Sequence, residues 1–370
     1  MKKITGIKTV DFLIRATGEG VVNHNGKMGV YNPAAEKFVE NHMFPKLRGL
    51  DPMRKAVSKT DPNKSRGLSL ADPELAGAAL IVSANCVRSH LFKDASFGIS
   101  RITRDTAGAA LASIHGLLRG YLITDGGASF PRKSPLLVND FECANPGLRY
   151  NQGSKAGERT DTSMFSFFAT DKDLQYVGRA SLNIEDLQFI PLENTHGRSS
   201  FSEVVSVAQG ELLAQHVSQF LQDLSGNPDA RADFLTNATR RGAFSPQGEA
   251  GLLLNQAGID VLVSEVIDLF KSLYIRQGKG FMRVTDVVVD YNSGHAMRIL
   301  DDVALAEEKQ GDYAVYYGQT EITTSEFEAK MAQLLEKEKA REKERAARKA
   351  KEERAAKRAA EAKAAGGESA

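Results

Sequence analysis

None of the 370 residues is tryptophan and only two are cysteine, Cys86 and Cys143. Two thiols cannot build a disulfide framework, so a reducing, cytoplasmic compartment is expected. No apolar run approaches the roughly 18 residues of a spanning helix. The opening stretch MKKITGIKTVDFLIRATGEG lacks a signal-peptide core, so no membrane partner is expected. The signatures of common catalytic and metal centres are missing as well. The seven histidines form neither an HExxH nor an HxH pair, and there is no CxxC, which argues against a zinc site. There is no GxSxG elbow and no GxxxxGK[ST] loop. No cofactor is called for.

Charge of one sign is also in short supply. The chain carries 48 Lys/Arg against 47 Asp/Glu, a formal net charge of +1. That total hides two unequal parts. From Glu336 to Ala370 there are 12 Lys/Arg and 8 Glu, while the preceding residues hold 36 basic and 39 acidic side chains. A slightly acidic body that binds a polyanion must gather its positive groups on one face. The tail is almost pure Ala, Glu, Lys and Arg, all strong helix formers, and Glu338/Arg341 and Glu344/Arg348 are spaced to pair along a helix. No apolar seam continues past Leu335, so a solvated helix is expected over the tail and a coiled-coil partner is not.

What is present reads as an irregular alternation of strands and helices, hence an α+β fold with insertions. Val10, Phe12 and Ile14 alternate with Asp11, Leu13 and Arg15, as a half-buried strand requires. This strand runs into a turn-rich loop holding Asn23, His24, Asn25 and Lys27. A helix is expected to open at Pro73 behind an Asp72 cap, burying Leu80, Ala84, Val87 and Leu91 and leaving Asn85, Arg88 and Ser89 on the polar side. Helix is also expected near Thr106–Leu118, and a long irregular segment over 126–160 that holds Arg132, Lys133, Arg149, Lys155 and Arg159. The runs Thr162–Thr170 and Leu174–Leu182 read as a hairpin joined by Asp171-Lys172-Asp173. Two amphipathic helices follow. One ends at Gly226-Asn227-Pro228, and the other, from Ile259 to Leu273, ends at Gln277-Gly278-Lys279-Gly280 before a strand over Val284–Val289.

Several weak signals suit a nucleic-acid backbone. Asn85, Arg88 and Ser89 offer amide, guanidinium and hydroxyl donors to phosphate oxygens, or else form a plain solvated face. Arg132 and Lys133 make a two-charge patch. Arg159 and Thr160 open the hairpin that carries Phe165, whose ring can stack on a base or pack in the core. Gly278, Lys279 and Gly280 read either as a helix C-cap or as a loop that lets a phosphate backbone approach closely. Asp51, Asp61 and Asp72 each precede a proline. That is ordinary turn and helix-start chemistry, with Mg²⁺ binding as the catalytic alternative.

The order of these pieces is more specific than any one of them. A strand running into a Gly/Asn loop, the helix SANCVRSHLF, a basic loop, the hairpin RTDTSMFSFFATDKDLQYVGRASLN and a GKG turn before a strand together resemble the backbone subunits of class 1 CRISPR effector complexes, in the RAMP superfamily. Type IV backbone proteins are the most similar group, and the resemblance spans roughly residues 4–290. It implies a modified RRM-like, ferredoxin-like palm with a β-hairpin thumb within an insertion at about 126–185, over a body of residues 1–320, and a charged helical tail over 321–370. It further implies a guide RNA (crRNA) bound along Asn23, His24, Asn25, Lys27, Asn85, Arg88, Ser89, Arg132, Lys133, Arg159, Thr160, Phe165, Gly278, Lys279 and Gly280. The implied partners are target DNA, head-to-tail copies of the chain, other effector subunits and a helicase. Type III relatives cut target RNA with an aspartate in the loop after the first strand. GEGVVNHNGKMGVYN has none, so a non-nuclease scaffold is expected. A metal-dependent ribonuclease using Asp51, Asp61 or Asp72, and a general RRM-like RNA-binding protein without a guide, are the two other readings.

Overall fold

The computed structural model describes residues 3–24, 28–32, 37–41, 44–48, 68–69, 77–94, 107–125, 128–154, 164–193, 206–241, 248–278, 280–294 and 306–319, with isolated helical positions between 329 and 343.

Strand β1 (Thr9–Glu19) is the middle of the main sheet. Its alternation is the physical reason. Val10, Phe12, Ile14 and Ala16 are all buried on one side, where the Phe12 ring meets Phe270 at 5.6 Å between centroids. β13 (Leu174–Asn183) and β18 (Gly280–Asn292) flank β1, both antiparallel, with Thr9 opposite Asn183 on one side and Asn292 on the other. Beyond β18 lies β17 (Tyr274–Gln277). Beyond β13 lie β9 (Leu136–Val138) and β10 (Phe141–Cys143), and β10 leads on to β6 (Ala79–Val82) and β4 (Leu47–Arg48). Helix α1 (Ala84–Leu91) falls between β1 and β9/β10 in the chain, and α5 (Gln256–Lys271) falls between β13 and β18. The palm is therefore a β-α-β-β-α-β unit with sheet order β18-β1-β13-β10, the ferredoxin-like arrangement of an RRM. The fold is α+β with an RRM-like palm, as expected.

A second antiparallel sheet runs β14 (Phe189–Pro191), β16 (Glu249–Leu254), β15 (Ala232–Arg240), β19 (Tyr317–Gln319). Helix α4 (Val207–Ser225) packs on β15 and on α5. Ser206 and Gln209 close a capping box at its start, and it stops at Gly226, where the sequence places its end. The single-turn helices α2 (Ala107–Leu111) and α3 (Ile184–Gln188) and a π-helical turn at His115–Arg119 complete the helical elements named here. Three hairpins form sheets of their own: β2 (Met28–Asn32) with β3 (Lys37–Asn41) and the short β5 (Leu68–Ser69); β7 (Tyr121–Asp125) with β8 (Ala128–Arg132); and β11 (Arg149–Ser154) with β12 (Met164–Ala169). In the tail, Ala329, Ala332, Gln333, Glu336, Lys339, Ala340 and Lys343 are helical and exposed.

Four expectations are corrected. Pro73 lies outside the described residues, but the helix expected to run from it through Leu91 is interrupted, and α1 begins at Ala84. Ala79-Leu80-Ile81-Val82 enters the sheet as β6, and Ser83, whose hydroxyl accepts from the Cys86 amide, is the cap. The described part of the segment 126–160, residues 128–154, is not irregular, because it carries β8 to β11. The hairpin does not join 162–170 to 174–182. β12 pairs with β11, and β13 is a palm strand because Leu174, Tyr176, Ala180 and Leu182 bury one side of it in the core. Helix α5 ends at Lys271, not at Gln277, because Tyr274–Gln277 folds back as β17.

Candidate nucleic-acid interface

The loop after β1 is fastened to the start of α1. The Asn23 side-chain oxygen accepts from the Ser83 amide at 2.9 Å, and the Asn23 carbonyl accepts from the Lys46 amide at 3.0 Å. The Ala84 amide, one of the orphan donors of the first helical turn, goes to the Asp140 carboxylate at 2.8 Å. His24 bridges to Pro45, and burial pushes its imidazole below the usual value, so it is neutral at pH 7. Asn25 and Lys27 lie outside the described residues.

On α1 the sequence pattern holds. Val87 and Leu91 point inward, while Asn85 and Ser89 are exposed. Arg88 sits at the boundary and its guanidinium is occupied by the fold. It donates to the Leu136 carbonyl at 2.7 Å, to the Arg119 carbonyl at 2.7 Å and to the Ser134 hydroxyl at 3.3 Å. These bonds staple α1 to the π-helical turn and to the segment entering β9. Arg132 goes further inward. It is buried, with donors to the Gly116 carbonyl at 3.2 Å and the Asp186 carbonyl at 3.0 Å. Its neighbour Lys133 is 79% exposed and pairs with the Asp186 carboxylate at 2.9 Å. Adjacent arginine and lysine thus serve opposite ends of one anchor, which the pair Arg132-Lys133 in sequence does not reveal.

In the β11–β12 hairpin, Phe165 stands opposite Gly153 and Phe167 opposite Asn151. Phe168 packs edge-on against Phe44 at 5.3 Å, which holds the hairpin's base on the body. The base is tied again by Arg149, which pairs with Asp171 at 2.8 Å. Arg159 and Thr160 belong to the segment between the two arms and lie outside the described residues, as do Asp51, Asp61 and Asp72. Among the described residues no cluster of three metal-ligating side chains occurs, and no helix is long and apolar enough to cross a membrane.

The Gly278-Lys279-Gly280 stretch is the turn of a hairpin, with Gln277 opposite Gly280. Gly278 has φ +55°, which a two-residue hairpin turn demands. Gly280 is needed for another reason, since a Cβ there would lie 2.6 Å from the Val21 carbonyl oxygen and 2.9 Å from its nitrogen. Its bare backbone lets the loop after β1 lie directly on the start of β18. Gly280→Ala is expected to lower stability by about 2 kcal/mol, because the clash is with backbone and only main-chain movement relieves it. Equilibrium urea unfolding checks this, and an unchanged midpoint would refute it. Lys279 lies outside the described residues.

Sequence reading missed the strip of sheet beside this turn. Tyr274, Arg283, Thr17 and Gln175 stand opposite one another across β17, β18, β1 and β13, on the face away from the helices, and Arg276 faces Phe281 in the next row. Ile275 and Met282 point the other way and are fully buried. The signal was present: Tyr274-x-Arg276 and Phe281-x-Arg283 alternate around a two-residue glycine turn. Extending the preceding helix to Gln277 concealed it. The far end of this outer face is closed, since Asp11, Leu13, Ser181 and Asp290 are buried there and Asp11 accepts from the Ser181 hydroxyl.

A family model for Cas7fv-like proteins, described as type I-Fv CRISPR-associated, matches residues 6–320. The chain belongs to the Cas7fv-like family. No curated protein matches it closely enough to count as a relative. Membership makes it a backbone-type subunit of the class 1 CRISPR systems, in agreement with the family resemblance in the sequence. The subtype differs: the matched family is type I-Fv, and the expected nearness to type IV proteins finds no support in the match. The match covers both sheets and ends at residue 320.

Proposed function

We propose that this Cas7fv-like chain is a structural subunit that binds guide RNA, stacks head to tail with copies of itself and presents the guide for pairing with target DNA. The observation that carries the reading is the family match over 6–320, on a palm of the RRM-like kind. A subunit that accepts any guide must contact backbone in preference to base edges. Exposed Asn85 and Ser89 on α1, the His24 loop with Asn25 and Lys27, Lys133, and Arg159, Thr160, Phe165 and Lys279 at the hairpin and turn are the proposed contacts. Arg88, Arg132 and Asn23 act behind them, because their hydrogen bonds fix the elements that carry those contacts. Gly280 supports the same surface by letting two loops touch.

A nearly neutral body suits head-to-tail stacking, where each copy meets the next through two different and complementary patches. Residues 1–320 form the backbone domain in this reading and 321–370 an appended helix. Other effector subunits and a helicase complete the assembly, and cleavage of the target is left to them.

Co-expression with a guide tests the proposal. The purified protein is expected as RNA-bearing oligomers, with uniform short transcripts that share one repeat-derived end. A nucleic-acid-free monomer under those conditions would overturn it. Regularly spaced cuts in matched target RNA with Mg²⁺ would instead point to a nuclease.

A further inference from the structure

A large aromatic side chain on an open sheet face, stacked on a second ring and flanked by arginines without acidic partners, calls for an occupant. Tyr274 is 52% exposed, and its ring lies 6.4 Å from that of Phe281 at an interplanar angle of 27°. Tyr274 faces Arg283 and Phe281 faces Arg276 across the β17–β18 pair, so the two rings lie on one diagonal and the two guanidinium groups on the other. Among the described residues neither Arg276 nor Arg283 makes an ion pair, and both are exposed. The charges nearest the rings are Glu19, opposite Phe281, and the Arg15–Asp286 pair at 2.8 Å in the next row; further across the same face are Arg179 and Glu142, with Asp11 and Asp290 buried at its far end. Arginine is thus in excess around the rings.

We propose that this face is a stacking site for single-stranded nucleic acid, with a base on the Tyr274 ring and the flanking phosphates on Arg276 and Arg283. A ring platform accepts any base, since each has a π face, and guanidinium groups suit phosphate oxygens. The charge complementarity selects a polyanion over an apolar protein surface. The inference rests on the guide-binding reading for the presence of a strand. Guide RNA and a DNA strand share the chemistry described, and the test separates them.

Full-length protein is purified as wild type, Tyr274→Ala, Tyr274→Phe and the double variant Arg276→Ala/Arg283→Ala. Each is titrated with a labelled oligouridylate and a labelled oligothymidylate of about 12 nucleotides. Tyr274→Ala is expected to weaken binding roughly 5- to 150-fold while Tyr274→Phe retains it. The double arginine variant is expected to reduce the salt dependence by about two phosphate contacts. A loss confined to the RNA probe assigns the face to the guide, and a loss confined to the DNA probe assigns it to a DNA strand. Binding within about twofold of wild type for all three variants overturns the proposal. So does a change in the oligomeric state of the nucleic-acid-free protein with unchanged probe binding, which would assign the face to copy–copy contact. Wild-type protein co-expressed with a guide that emerges without RNA refutes the guide reading, and the probe titrations still decide this site.

Discussion

Arg88→Glu is expected to lower the stability of the free protein by about 3–5 kcal/mol, with no RNA present. Three oxygen acceptors converge on the guanidinium, and two of them are backbone carbonyls of different segments, Leu136 and Arg119. A carboxylate in that place loses every donor and sets like partial charges against one another. Burial and the neighbouring Arg119 charge push the Arg88 group below its ordinary value, yet it remains a cation, because guanidinium starts so high. Arg88→Lys should recover part of the loss, since one ammonium can reach one or two of the acceptors but not all in the fork geometry. Urea unfolding of both variants without nucleic acid separates this from a direct RNA contact. Wild-type stability in Arg88→Glu with defective guide loading would show that the side chain serves the ligand and not the fold.

The second large effect is acid-linked. His115 is buried in the π-helical turn, beside the Phe92 ring, and its Nε2 accepts from the Arg119 guanidinium at 2.8 Å. Burial first, and the Arg119 charge second, push its pKa from the ordinary 6.5 down to about 4. The unfolded chain therefore takes up a proton near pH 6.5 that the native protein refuses until about pH 4. Above pH 6.5 the imidazole is neutral in both states and this stability is fully present. It is lost as the pH falls through that window, about 3 kcal/mol in all. His115→Gln keeps an acceptor for Arg119 and removes the titration, so its stability should fall less steeply between those limits than that of the wild type. Parallel pH profiles for the two proteins would sink the prediction.

Particular residues show where reading the chain succeeds. Val10, Phe12 and Ile14 alternate at period two, and the strand is there. Gly226 follows a helical stripe, and α4 ends on it. These signals are local, and local geometry decides them. Reading fails where pairing is long-range. The run Leu174–Leu182 alternates equally well as one arm of a projecting hairpin or as a palm strand, and only the core against Tyr176 and Leu182 selects the palm. The apolar stripe from Ile259 to Leu273 reads as one helix reaching the glycine turn, yet the helix stops at Lys271 and Tyr274–Gln277 is a strand whose Ile275 is buried as well. Leu273 is buried too, but past the helix end.

The site divides in the same way. The polar side of α1 was legible, because helical periodicity is written in the order of the chain; the glycine stretch stood out as a break, but it is a hairpin turn and not a helix C-cap. The fates of the arginines were not. Arg88, Arg132 and Arg283 look alike in sequence, yet Arg88 is a staple, Arg132 an internal anchor and Arg283 an open cation. What separates them is which carbonyls and carboxylates the fold brings within about 3 Å, and for Arg88 and Arg132 those acceptors come from segments 16 to 54 residues away. By itself the sequence determined an α+β body, a charged tail of strong helix formers behind it and the absence of the usual catalytic motifs. Tertiary structure alone decided which positive charges remain free, because charge belongs to a residue but its neutralisation belongs to the neighbours the fold supplies.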